Sequence, residues 1–303
     1  MEVKTRVYVL KTGDRLNGIQ HLFNEFDVDF SDKSVALKAN FNSDDPFPAS
    51  THIDTLGSLI KAIQADGADE IKLGERSGMG DTRSVLEGRG VFALAKELGF
   101  EVIVLDEMDK AGWVKVDRGQ NHWLRGFHIS GMFIEADIVV QTCCLKTHRF
   151  GGHFSLSLKN SVGLIARRLP GSIYNYMWEL HGSPYQRLMI AEINKHYNCD
   201  IVIMDALRAF TDGGPEKGTS VEPGLLLAST DRVAIDAVGI AILRGYVSTK
   251  NVMNGRIFEL PQINRAAELG VGVNSPGKIE VVPVNAESVK DAETISVRLV
   301  REG

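Results

Sequence analysis

Residues 138–163 read IVVQTCCLKTHRFGGHFSLSLKNSVG. The stretch opens as an apolar, β-branched run. It then turns to Lys146, His148, Arg149, the pair Gly151-Gly152 and His153, and after a short interval to Lys159-Asn160. A buried strand that ends in ionisable side chains and glycines is how an α/β sheet presents a ligand-holding loop. Solvated surface charge alone explains poorly why these groups abut so apolar a run.

Working outward, short β-branched runs alternate with longer helical patterns. Strands are expected at Arg6–Leu10, Ser34–Lys38, Glu70–Leu73, Glu101–Leu105, Asp137–Thr142, Asp200–Met204, Gly224–Ala228, Lys278–Val282 and Ile295–Leu299. Several, such as EVIVL and IVIM, are nearly continuous in apolar residues, as strands covered on both faces are. Between them, Leu56, Leu59, Ile60 and Ile63 recur at helical spacing. Val85–Leu98 reads as one helix stopped by Gly99, Asp231–Leu243 as another, and Pro261–Leu269 as a third stopped by Gly270. The alternation predicts an α/β fold, with a mostly parallel sheet or sheets covered by helices on both faces. We read two α/β lobes, 1–130 and 131–303, with a cleft at the strand carboxyl ends. Two excursions interrupt the rhythm. Residues 106–130 suggest a small antiparallel ribbon, and 165–185, with two arginines, Pro, Gly and bulky aromatics, suggest a flap or an interface segment.

Composition excludes several classes. The 303 residues, 44% hydrophobic and 24% charged, suit a globular protein with a large core. The net charge of −5 and the lack of a long basic block argue against nucleic acid as partner. No run approaches a membrane span, and the amino terminus lacks the apolar core of a secretory signal. Three cysteines, Cys143, Cys144 and Cys199, form no C-x-x-C spacing and fit a reducing compartment. The expectation is a cytoplasmic protein without membrane partners and without an intrinsic iron–sulfur cluster; nothing in the sequence fixes whether it forms a homo-oligomer.

Candidate site residues follow from what closes each strand. Lys38 ends an apolar strand, where a lone ammonium is costly unless aimed into a cleft or extended to the edge. Gly74 to Thr82 holds three glycines and could offer backbone N–H groups to an anion, or simply turn into a capped helix. Lys146 and Lys159 could neutralise an anion. His148 and His153 have the right intrinsic acidity for proton transfer. Asp205, followed by the constrained Gly213-Gly214-Pro215 loop, is a candidate base, metal ligand or lysine partner. Ser229 or Thr230 reads as the cap of the helix that follows, Asp231 as a charge placed near that helix's positive end, and Asp236 stays open between structure and function. Cys143 and Cys144 read as core.

Five ordered pieces give the chain a resemblance: SVALKANF, ADEIKLGERSG, ADIVVQTCCLKTHRFGGHFSLSLKNSVG, IVIMDALRAFTDGGPEKG and LLLASTDRVAIDAVG. Together they resemble the bacterial and archaeal family called domain of unknown function 362, from about Ser34 to Gly245. The resemblance places Lys38, Asn40, Lys146, His148, Lys159, Asn160, Asp205, Asp231 and Asp236 within its characteristic blocks and implies no reaction. Some members carry a ferredoxin-type cysteine module, which this chain lacks. Arg232 stands where related sequences usually have Pro. A looser similarity, at the level of layout and Lys/His loops, is to lactate-racemase-like proteins, which use a nickel-pincer nucleotide; layout alone assigns no function.

The expected function is an enzyme acting on a small carboxylate- or phosphate-bearing molecule. Lys38, Asn40, Lys146, Lys159 and Asn160 would bind the substrate, with Asn160 donating to an oxyanion. His148, His153 and Asp205 would carry acid–base chemistry, with a divalent metal as an optional cofactor and isomerisation or racemisation as a specific form. The alternative is a non-catalytic metal- or cofactor-binding protein that delivers its ligand to a partner.

Overall fold

The computed structural model describes residues 4–150, 153–246 and 248–303. The strands among the described residues are β1 (Thr5–Lys11), β2 (Ser34–Lys38), β3 (Glu70–Glu75), β4 (Glu101–Val104), β5 (Trp113–Val116), β6 (Phe127–Ser130), β7 (Ile138–His148), β8 (His153–Ser155), β9 (Ile201–Phe210), β10 (Ser220–Val221), β11 (Leu225–Ser229) and β12 (Ile279–Pro283). The α-helices are α1 (Arg15–Phe23), α2 (Ile53–Ala65), α3 (Thr82–Gly88), α4 (Val91–Leu98), α5 (Met132–Glu135), α6 (Ser157–Asn160), α7 (Tyr176–Gly182), α8 (Gln186–Ile193), α9 (Arg232–Leu243), α10 (Lys250–Met253), α11 (Pro261–Glu268) and α12 (Val289–Glu302).

The main sheet runs in the order β12-β1-β11-β9-β7-β2-β3-β4. The pairs β9–β7, β7–β2, β2–β3 and β3–β4 are parallel. β11 lies antiparallel to both its neighbours, β9 and β1, while β12 is parallel to β1. The chain is therefore α/β with a mostly parallel central sheet. Strands from either side of residue 130 share this one sheet, with β2 against β7. One apolar layer packs the sheet against α9, α11 and α12, through residues such as Met204, Val238 and Ile263. A second packs it against α1, α2 and α4, through Leu22, Leu59 and Val91. A third, around Trp123, Phe127 and Ile190, seats the antiparallel β5–β6 ribbon and α8.

Two expectations are corrected. Ile295–Leu299 is helix, not strand. Ile295, Val297 and Leu299 alternate like a strand, yet Val297 is 66% exposed while Ala292, Ile295 and Leu299 are buried at helical spacing. The single helix expected over Val85–Leu98 is two, α3 and α4, because Gly90 adopts φ +74° between them.

From β2 the chain steps to β3 and β4 on one side, then returns to place β7 on the other side of β2. The order thus reverses between β2 and β7, and in parallel sheets such a reversal opens a crevice at the strand carboxyl ends. Lys38 ends β2, Glu75 ends β3, and Lys146 and His148 close β7.

Candidate anion-binding cleft

The crevice is a cleft of about 630 Å³ of empty space out to its open mouth. Its lining includes Lys38, Asn40, Asn42, Glu75, Arg76, His148, Lys159 and Asn160, with Met177 and His181 from α7 and Pro215 from the loop after β9. A smaller recess, sharing Asn40, Lys159 and Asn160, continues to Lys146 and Cys144. Six of the eight predicted site residues, Lys38, Asn40, Lys146, His148, Lys159 and Asn160, therefore meet here.

β7 does not end at Thr142, where an opening loop was expected. It runs to His148 and folds back as a hairpin, pairing His148 with His153 and Lys146 with Ser155. Gly151-Gly152 lie outside the described residues. All eleven residues of β7 are buried, so Lys146 and His148 are delivered from a rigid strand. The short α6 presents Lys159 and Asn160. Its first turn is held by Asp236 of α9, whose carboxylate oxygens accept the N–H groups of Ser157 at 2.8 Å and Leu158 at 3.0 Å.

The three lysines differ in how their donors are spent. Lys38 donates to the Glu75 carboxylate at 2.5 Å, to the Ala39 carbonyl at 2.5 Å and to Asn160 Oδ1 at 3.3 Å. An ammonium has three donors, so Lys38 is satisfied within the protein. Glu75 is held in turn by the N–H groups of Arg76 at 3.0 Å and Phe41 at 3.2 Å. Burial pulls the Lys38 pKa down, and the Glu75 charge opposes that. Lys146 donates to Asn40 Oδ1 at 2.7 Å and to the Ala49 carbonyl. Burial lowers its pKa as well. Lys159 forms no hydrogen bond or ion pair with the described residues. Desolvation, then the charges of Arg187, Lys146 and Arg76, push its pKa down to about 7.

The amides are similarly committed. Asn160 donates to the Thr142 carbonyl at 3.0 Å and accepts from Lys38 and from Asn40 at 3.4 Å. The network thus links β2, β3, β7 and α6. Gly163 is required beside it, since a Cβ there would lie 2.6 Å from Lys38 Cε and 2.9 Å from its Nζ. His148 Nδ1 lies 2.9 Å from the Phe150 carbonyl, an oxygen that can only accept. The ring proton is therefore on Nδ1, and Nε2 carries a free lone pair. Burial and then Lys159 hold the His148 pKa well below its ordinary value, so the ring is neutral at pH 7.

Two predicted residues stand apart. Asp205 does not follow its strand but lies inside β9, which runs to Phe210. Its carboxylate pairs with Arg15 at 2.8 Å and accepts from Thr55 at 2.6 Å, tying the sheet to α1 and α2. His153 pairs with His148 across the hairpin but does not line the cleft. Its Nδ1 is buried without a partner among the described residues, and burial lowers its pKa to about 4. Both lie outside the lining of the cleft in which the other six meet. The cap of α9 is Asp231 rather than Ser229 or Thr230, its carboxylate accepting from the N–H groups of Val233 and Ala234.

Glu75, Arg76, Met177 and His181 were not singled out from sequence. Glu75 and Arg76 lay in the Gly74–Thr82 segment, and the signal was a carboxylate at the end of a strand one place over from Lys38. Arg76 is buried and donates to the carbonyls of Ile165 at 2.9 Å and Val162. Among the described residues, no three His, Cys, Asp or Glu side chains converge as metal ligands. With lysines and arginines around His148, the donor set does not fit a protein-held divalent cation. No helix among the described residues is long and apolar enough to cross a membrane.

Comparison with known proteins adds the following. A thylakoid-associated protein of a Synechocystis species is 26% identical over 196 residues, 64% of this chain. The chain spans 57% of that relative's length. The lactate racemase apoprotein of Thermoanaerobacterium thermosaccharolyticum superposes with a TM-score of 0.49 at 12% identity, over 76% of this chain and 55% of that one. The family described as a domain of unknown function, DUF362, matches residues 35–241, more than half of the chain, and the protein belongs to that family.

Proposed function

We propose that the cleft binds a small carboxylate- or phosphate-bearing molecule and transfers a proton on it by lysine–histidine chemistry. The observation that carries this reading is the Lys159 ammonium, which faces the cleft without a counter-charge among the described residues. Lys38 and Glu75 cancel one another, which leaves Arg76 and Lys159 as the net charge of the lining, with Lys146 in the adjoining recess. An enclosed cationic site of this kind favours an anion over water. Neutral His148, with its Nε2 lone pair free, is suited to accept a proton from the bound molecule. Asn160 and Lys38 hold the wall in shape.

Calorimetric titration with phosphate, lactate, glyoxylate and malonate tests the reading. At least one anion should bind, and Lys159→Ala should weaken it tenfold or more, about 1.4 kcal/mol. Because the Lys159 pKa is lowered to about 7, its charge is present below that pH, and affinity should fall as pH rises through it. Failure of every anion to bind, or unchanged affinity in Lys159→Ala, would overturn it.

A further inference from the structure

We propose that Lys159 is a nucleophile, and that its side-chain amine condenses with the carbonyl group of an anionic oxo compound, a 2-oxo acid or an aldehyde acid, to form an imine in the cleft. This inference rests on the anion-binding reading and adds to it a substrate class and a covalent step.

The argument is geometric. Of the three cleft lysines, Lys38 has all three N–H groups engaged and Lys146 has two. A lysine so held cannot present a lone pair without breaking buried bonds. Lys159 has none engaged among the described residues, and its side chain lines both the cleft and the recess. It also rides on α6, fixed from behind by the Asp236 carboxylate. A free amine on a rigid support, surrounded by cations, is the arrangement that activates lysine toward carbonyls. The lowered pKa of Lys159, about 7, means that a large fraction is neutral amine at physiological pH. Arg76, its pKa lowered only to about 10, remains charged in the same cleft, so an anionic group can still be held while the amine attacks.

The step balances without an outside reagent. The amine nitrogen bonds to the carbonyl carbon, and a proton passes from nitrogen to the carbonyl oxygen, giving a carbinolamine. That hydroxyl leaves as water, the nitrogen lone pair forms the C=N bond, and the second N–H proton is released. His148 Nε2, in the same cleft and without a hydrogen-bond partner among the described residues, is placed to relay the proton from nitrogen to the departing oxygen. The resulting imine withdraws electrons from the adjacent carbon, which is the activation that proton transfer at that carbon needs.

Sodium borohydride reduction of the protein in the presence of glyoxylate or pyruvate, followed by peptide mass spectrometry, tests the proposal. Formaldehyde serves as a carbonyl without a charge. The expected result is that the peptide bearing Lys159 gains the oxo acid plus two hydrogens less one water, at least tenfold faster than surface lysines. Excess phosphate or lactate should slow that labelling but not the formaldehyde labelling of the surface. Lys159→Arg should abolish the label, and His148→Gln should slow it. Labelling of Lys159 no faster than that of surface lysines would overturn the proposal. If calorimetry still detects anion binding in that case, the anion-binding reading stands and only the amine chemistry falls; if neither is seen, both fall. The wild-type labelling rates decide the matter even if a variant does not fold.

Discussion

Lys38 and Glu75 are both buried, 2% and 1% exposed, with their charges 2.5 Å apart. Two ions in so dry a place are tolerable only as a pair. Removing one leaves the other uncompensated, which costs about 3–5 kcal/mol. Glu75→Gln should lower the stability by that order in urea denaturation, whereas the double change Lys38→Met with Glu75→Leu should cost less than Glu75→Gln alone. A loss under about 0.5 kcal/mol in Glu75→Gln would mean that the pair carries little of the local stability. Lys159 is the opposite case, a lysine without a protein partner among the described residues. The sequence shows Lys38, Lys146 and Lys159 alike; only the donors and acceptors around each show that two are held in place and one is available.

At the scale of elements, α6 is too short to persist alone. Its orientation comes from α9, through the two bonds to Asp236. That carboxyl is fully buried, and burial pushes its pKa up to about 8 even though both bonds pull it down. Asp236→Ala would leave two buried N–H groups unsatisfied, at about 1–3 kcal/mol each. Chemical denaturation should show that loss, and anion affinity should fall with it because Lys159 and Asn160 lose their support. Asp236→Asn, which keeps an acceptor oxygen, should recover part of both; equal affinity in wild type and Asp236→Ala would separate the support from the site. The hydrophobic pattern located α9 and Asp236 on it, but not what Asp236 touches 79 residues away in sequence. The same limit explains β7. The strand was expected to end at Thr142, short of the polar Lys146 and His148, whereas pairing with β8 and β9 carries it through both.

Across the whole molecule, β7 sits between β2 and β9 near the middle of the sheet, with every residue buried. Its amides should exchange with solvent only by global unfolding, while those of the two-stranded β5–β6 ribbon exchange through cheaper local openings. Hydrogen-exchange rates in β7 matching those of β5 would contradict this. The sequence by itself determined the α/β class, nearly every strand of the parallel core, the helix stop at Gly99, and which polar residues close the strands. Those features are local: periodicity, β-branching and capping chemistry act over a few residues. Only the tertiary structure decided that the strand order reverses between β2 and β7, that Asp205 belongs to Arg15 and Thr55, and that Glu75 belongs to Lys38. These depend on which strand lies beside which and which face a side chain takes, and such long-range choices are made by packing the whole sheet at once.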